Sequence, residues 1–351
     1  MKKKLISLLK VVVPLLLGVG LTWYIYQDLS EEDKAQVFES LRIADYSWIA
    51  FSILFAILSH LSRGWRWKYT LEPLDMRPKF LNNFFSVMIG YIANLAFPRL
   101  GEASRCAALA RYENLPFNKL FGTVIAERVA DFAILLSLIA GVILFQLDKI
   151  NEIMSQPVKD ILGESADPAT ADQTMKELLL DKIPPTWVLI LLAIGGIVGL
   201  VVLIRFLRSS QQGIALKVRD FIGGLLDGLK SILVMRQRWS FIGHTFFIWL
   251  MYILMFYVSF FSLPGTSNVP LAGVITAFVM GGISIVVVQG GLGVYPAIVA
   301  ATLQLYGVDL PIGFAFGWIM WAAQTVMILV LGGASFPGMA LYNKKPAHGG
   351  A

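Results

Sequence analysis

Runs of apolar residues alternate with short polar stretches along the whole chain. Most runs approach the roughly 20 residues that a helix needs to cross a bilayer. Their limits predict spans at 5–26, 46–62, 120–145, 186–207, 241–262 and 311–332. The first run follows Lys2, Lys3 and Lys4 and resembles a signal sequence. Its apolar part is long and no small-residue cleavage site follows, so it reads as a retained first helix.

The polar stretches orient these spans. Residues 27–45 hold six acidic and two basic residues, and residues 146–185 hold eight acidic and four basic. Both read as extracytoplasmic. The loop before Trp239 carries Arg208, Lys217, Arg219, Lys230, Arg236 and Arg238 against Asp220 and Asp227. It reads as cytoplasmic, with an amphipathic interfacial helix around "ALKVRDFIGGLLDGLKSIL". "RGWRWKY", after Ser62, reads as a basic and aromatic cytoplasmic anchor. The leading lysines, together with Lys344 and Lys345, put both termini in the cytoplasm.

This orientation constrains two remaining apolar stretches. Residues 81–114 must enter and leave on the cytoplasmic side, and residues 271–307 on the outer side, so each reads as a re-entrant hairpin. "VMIGYIANLAFPRLGEA" from Val87 and "VMGGISIVVVQGGLGVY" from Val279 also align. They share Val-Met, a glycine (Gly90 and Gly282) and Leu-Gly (Leu100-Gly101 and Leu292-Gly293).

The expected fold is therefore an all-α integral membrane protein. It has about six full spans plus two re-entrant hairpins, arranged as an inverted-topology repeat of helix, helix, hairpin, helix. Residues 1–145 form the first half, 146–185 a polar loop, 186–340 the second half and 341–351 a flexible tail.

Composition supports the class. The chain of 351 residues is 57% hydrophobic and 15% charged, with mean hydropathy +0.70 and net charge +6. That is too little charge for a soluble protein of this size. The excess of basic residues suits lipid headgroups, so membrane lipids are the expected partners and nucleic acid is not; a homo-oligomer is possible. With Cys106 alone, no intrachain disulfide forms. His60, His244 and His348 are scattered, so no metal or other cofactor is expected. His60 and His244 read as packed, hydrogen-bonded histidines within apolar helices.

Candidate chemistry lies where charge interrupts apolar sequence. In "AFPRLGEASR", Pro98 and Gly101 break a helix, and Arg99, Glu102 and Arg105 share a broad face of the returning arm. The 16 residues from Leu81 to Ala96 rise roughly 24 Å as a helix, which carries the break to the bilayer middle or past it. "TVIAERVADFAILL" places Glu127, Arg128 and Asp131 inside a span, Glu127 and Asp131 on one face. Charge at that depth costs about 2.5 kcal/mol or more per group and persists where it pairs or lines a cavity. Arginine's planar fork suits phosphate. Glu102, Glu127 and Asp131 can hold the arginines or receive an amine. In the second hairpin, Gly290, Gly291 and Gly293 offer a flexible break and close backbone approach, beside Gln289.

"NLAFPRLGEASRCAAL", "ERVADFAIL" and "GGLGVYPAIV" resemble the lysylphosphatidylglycerol synthase transmembrane-region family, over about residues 5–340. Asn94, Pro98, Arg99, Gly101, Glu102, Arg105, Glu127, Arg128, Asp131, Gly290, Gly291, Leu292 and Gly293 fit its pattern. Where the family commonly has an acidic residue after the last Leu-Gly-Val, this chain has Tyr295 and Pro296. The resemblance implies movement of a phospholipid, aminolipid or related lipid across the inner membrane of a bacterium, by a flippase or scramblase-like route. It implies no enzyme activity. Asn94, Arg99, Glu102, Arg105, Glu127, Arg128 and Asp131 would bind the substrate, and Pro98, Gly101, Gly290, Gly291 and Gly293 would gate it. Two alternatives stay open: a transporter of a small soluble anion, and a membrane-embedded enzyme acting on polyprenyl phosphate.

Overall fold

A computed structural model describes residues 29–97, 100–145, 235–287 and 289–344, with a few positions between 20 and 27. The expected span at 186–207, the 146–185 loop and the amphipathic helix near residue 220 lie outside the described residues, as does almost all of the expected span at 5–26. The chain divides into two compact units, 1–139 with 228–351, and 140–227. All the described residues except 140–145 belong to the first unit.

Ser30 opens helix α1, Glu31–Ile43, through a capping box with Asp33. Three acidic residues in its first turn and Arg42 in its last suit the helix dipole. The inner face of α1 sets Val37 against Ala300, Phe314 and Ala315. Asp45 then caps α2, Tyr46–Leu71, by accepting from the Ser47 N–H. The hydropathy boundary at Ser62 is not the end of this helix: α2 continues to Leu71. Hydropathy falls at Arg63 and Arg66, but both side chains are buried in the protein rather than set in an interface.

After a 3-10 turn and an extended Lys79, α3 runs from Phe80 to Ala96. Glu113 accepts from the Lys79 N–H and the Asn82 amide, which ties the start of this helix to the end of the next. Phe97 is extended, and α4, Leu100–Glu113, turns back along α3. The two backbones cross at Gly90 and Gly101. A Cβ on Gly101 would collide with the Gly90 carbonyl and the Asn94 side chain, so the crossing requires glycine.

Helix α5 spans Phe117–Phe145, α6 spans Arg238–Ser259, and α6 packs along α2. Helix α7, Leu271–Val287, and α8, Val294–Gln304, form a second helix–break–helix pair. Gly290, Gly291 and Gly293 between them have φ of 70°, 64° and 72°, a region that side chains disfavour. Helix α9, Leu310–Tyr342, closes the unit against α8 and α3.

Among the described residues, three stretches are long and apolar enough to cross a membrane: Tyr46–Leu74, Arg238–Ser262 and Leu310–Tyr342. Helix α5 has the length, 29 residues, but carries Glu127, Arg128 and Asp131. All regular elements among the described residues are helical. One apolar core joins α2, α6, α7, α8 and α9; another joins Trp67 and Leu71 of α2 to Val87, Cys106, Leu109, Leu120 and Val124. Phe132, Leu136, Phe246, Leu250, Leu329 and Val330 are exposed, as a lipid-facing surface would have them. Helices in lipid gain cohesion from close packing of small residues more than from burial of oily ones.

Two glycines put this to the test. A Cβ on Gly317 would sit 2.6 Å from the Pro296 Cα, whereas one on Gly122 meets nothing within 4 Å. Gly317→Val should lower the melting temperature in detergent, in line with overpacking costs of about 1–3 kcal/mol. Gly122→Ala should leave it unchanged or raise it. Equal effects would show that close approach does not hold α8 on α9.

Candidate functional site

Buried Ser52, Ala56, Ser59, Arg63, Arg66 and Thr70 recur three or four residues apart, so α2 presents one small and polar face. Helix α5 meets it with Glu127 and Asp131, four residues apart. Asp131 is shared. Arg63 Nη1 lies 2.7 Å from one of its oxygens. Arg66 grips both, Nη1 at 2.7 Å and Nη2 at 3.2 Å. Such two-pronged contact is strong and directional. Arg66 also donates to Thr245 Oγ1 at 3.0 Å and lies over the Phe241 ring, which brings α6 into the same joint.

Glu127 sits between two arginines. Its Oε2 is 2.8 Å from Arg105 Nη1, and its Oε1 is 3.6 Å from Arg66 Nε. Arg105 stacks 3.7 Å above Trp67. The Trp67 indole N–H donates to Thr123 at 2.9 Å, so the platform is itself held in place. A flat cation on an aromatic face keeps its edge available for further hydrogen bonds. Arg105 Nε and Nη2 are buried and have no hydrogen-bond partner.

The outer end of the network differs. Arg128 Nη2 pairs with Glu102 Oε1 at 2.9 Å, with side-chain exposures of 44% and 25%. Its other contact, to Asp131, is 3.9 Å. The deep carboxylates, Glu127 and Asp131, are 1% and 11% exposed. Deep pairs are hard to separate because either partner would be left as a buried charge. The partly exposed pair is the looser one, worth about 0–1 kcal/mol on the scale of exposed pairs.

Glu102, Arg105, Glu127, Arg128 and Asp131 thus occupy one network. Pro98 and Arg99 lie outside the described residues. Asn94 accepts from the Gly101 N–H at 2.7 Å and so caps the start of α4. Arg63 and Arg66, read from the sequence as an interfacial anchor, instead form the base of the network. Their signal was the spacing: two arginines three apart, on the face that continues Ser52, Ser59 and Thr70.

Two cavities adjoin the network. A small one of about 10 Å³ touches Arg63, Gly101, Glu102, Arg105 and Arg128. It has room for one water at most. A larger chamber of about 350 Å³ is lined mainly by apolar and aromatic side chains, among them Leu95, Met255, Phe278, Tyr295 and Trp321. Tyr91 and Asn94 border both cavities. Tyr252 connects them chemically: its hydroxyl accepts from Arg63 Nη2 at 3.3 Å and hydrogen-bonds Tyr91 at 3.2 Å.

His60 is packed at the chamber wall, its ring 4.5 Å from that of Tyr91, with Nδ1 unpartnered. His244 is hydrogen-bonded to Ser62 at 2.8 Å. The second break reaches the chamber through Gly290, whose carbonyl accepts from Trp321 Nε1 at 2.6 Å. Gly291 and Gly293 shape the turn beside it.

These features define an all-helical, multi-pass membrane protein with an ion-pair network buried beside an apolar chamber. The family described as the lysylphosphatidylglycerol synthase TM region matches residues 11–332, and the chain belongs to that family. A stretch is 33% identical over 92 residues to UPF0104 membrane protein MJ1595 of Methanocaldococcus jannaschii, covering 25% of this chain and 27% of that one. Another is 30% identical over 146 residues to Glycosyltransferase AglD of Haloferax volcanii, covering 40% of this chain and 23% of that one. The matches span about a quarter of each relative's length. No solved structure matches.

The contrast between deep and outer pairs is open to measurement. Asp131→Asn strips Arg63 and Arg66 of their counter-charge and should cost about 3–5 kcal/mol, enough to lose folded protein during purification. Glu102→Gln should cost under about 1 kcal/mol by thermal unfolding. Equal tolerance of both would dismiss the network as a structural joint.

Proposed function

We propose that the chain is a lipid transporter of flippase or scramblase type and not an enzyme. It moves the headgroup of a phospholipid, aminolipid or related lipid across the cytoplasmic membrane of a bacterium. In this reading the α3–α4 and α7–α8 pairs are re-entrant hairpins entering from opposite sides. The two halves form an inverted repeat of helix, helix, hairpin, helix, with both termini in the cytoplasm. Substrate and gate then lie at the meeting of the two breaks, as in other repeat-built transporters.

The observation that carries this reading is the shared border of the two cavities. A lipid has a charged end and an oily end joined by a polar neck. Here a charged cavity meets an apolar chamber through Tyr91 and Asn94. The headgroup would rest at Arg128 and Glu102, with Arg105 behind them, while the oily part follows the chamber and the lipid beyond it. Asp131, Arg63 and Arg66 keep α2 and α5 together while this happens. Motion falls to the glycine-bounded breaks, Gly101 on one side and Gly290, Gly291 and Gly293 on the other.

A second reading draws on the name of the Haloferax relative, a glycosyltransferase. It makes this chain the membrane part of an enzyme acting on polyprenyl phosphate, a lipid that also ends in phosphate.

Reconstitution separates the two. Purified protein in proteoliposomes should carry head-labelled phospholipid between leaflets without altering it chemically. Arg128→Gln should slow that transfer about tenfold or more, the loss of one charge-assisted contact worth roughly 1.5–3 kcal/mol, with the melting temperature kept. Unchanged transfer by both Arg128→Gln and Glu102→Gln would remove the ionic site from the pathway. A modified lipid product would favour the enzyme.

A further inference from the structure

The charges within the network do not balance. Among the described residues it holds four arginines, Arg63, Arg66, Arg105 and Arg128, against three carboxylates, Glu102, Glu127 and Asp131. One positive charge is left over. Buried charge without a counter-charge is costly, so the excess favours whatever anion can reach it. We infer that the outer end of the network receives one singly charged phosphodiester, an anionic headgroup without an amine. This rests on the transport reading and names its substrate class.

The contacts place the receiving groups. Both Asp131 oxygens are taken up by Arg63 and Arg66. Glu127 lies between Arg105 and Arg66. Arg63 and Arg66 each keep only Nε unpartnered, whereas Arg105, 4% exposed, keeps both Nε and Nη2, and it lines the small cavity with Arg128 and Glu102. Arg128 is the accessible cation, bound closely to Glu102 alone. An oxyanion arriving at Arg128 loosens its pair with Glu102, which stays at the edge of the network, so the added charge offsets the excess. It then finds the Arg105 edge behind it.

A cavity of about 10 Å³ is too small for a phosphate, so Arg128 and Glu102 must draw apart to admit one. The Glu102 side chain is 25% exposed, which leaves it room to shift while remaining beside Arg128. The other charge types fit worse. An ammonium finds every carboxylate already held by an arginine at 2.7–2.9 Å, and it would add to the excess. A zwitterion leaves the excess as it was. A phosphomonoester dianion overshoots it.

The test is competitive lipid binding by native mass spectrometry on the full chain. The probes are phosphatidylglycerol, phosphatidylethanolamine and phosphatidic acid, with the phosphodiester glycerophosphoglycerol as the soluble arm. Phosphatidylglycerol should lead the zwitterion and the phosphomonoester by about tenfold, the value of one charge-assisted contact. Glu102→Gln removes the competing carboxylate. It should raise phosphatidylglycerol binding several-fold and leave phosphatidylethanolamine unmoved. Arg105→Lys keeps the charge but loses the free edge, so it should erase the preference; it also serves if Arg105→Gln does not fold.

Equal binding of phosphatidylglycerol and phosphatidylethanolamine overturns the inference, as does a Glu102→Gln protein that binds phosphatidylglycerol no better. Displacement by millimolar glycerophosphoglycerol would support the anion site and assign it a soluble source. If phosphatidylglycerol binds in this pattern but no headgroup crosses proteoliposomes, the transport reading fails and the anion site stands. If headgroups cross without regard to charge, transport stands and this inference fails.

Discussion

Asp131 between Arg63 and Arg66 is the contact on which the rest of the arrangement depends. A carboxylate in an apolar interior cannot stay charged without partners, and two arginines from one helix cannot stay charged without it. Each side makes the other tolerable, and together they fix α5 on α2 at 2.7 Å contacts. Thr245 and Phe241 attach α6 to the same guanidinium. Three helices are therefore registered by one polar joint. Oily side chains slide past one another in lipid at little cost, so a directional joint does what hydrophobic contact cannot.

The helix breaks use a different device. Gly101 lets the backbones of α3 and α4 touch, and Asn94 caps the turn between them. In the second pair, three glycines with positive φ make the turn, and Trp321 holds the Gly290 carbonyl. One break is braced by an asparagine cap and the other by backbone shape. Asn94, which caps the first, and Gly290 of the second both line the chamber, so a change in either alters the same space.

The all-helical membrane class was legible because long apolar runs leave few other options. Both helix–break–helix pairs were legible from Pro98, Gly101 and the Gly290–Gly293 cluster, residues that interrupt apolar periodicity. Glu102, Arg105, Glu127, Arg128 and Asp131 stood out because charge inside an apolar run is costly. Arg63 and Arg66 did not. They close a run, where a basic and aromatic cluster ordinarily marks a membrane surface, and hydropathy drops there whether the helix stops or continues. Only their register with Ser52, Ser59 and Thr70 showed that the polar face goes on, and only the fold shows that α5 meets it. Pairing is a tertiary fact: the sequence shows which residues need partners, not which partners they find.

The network combines two incompatible tasks by separating them in depth. Its deep members, Asp131, Glu127, Arg63 and Arg66, cannot release one another without leaving a bare charge in an apolar interior. Its outer pair, Glu102 and Arg128, can, because both side chains are partly exposed at the protein surface. A transporter needs this gradient. If every pair were fixed, no headgroup could displace a carboxylate; if every pair were loose, α2, α5 and α6 would lose their register whenever a lipid arrived. Arg105 stands at the boundary, with one nitrogen committed to Glu127, two unpartnered, and a place beside Glu102 and Arg128 at the small cavity. That position allows a ligand at Arg128 to be felt by Glu127, and through it by Arg66 and the joint that sets the helices.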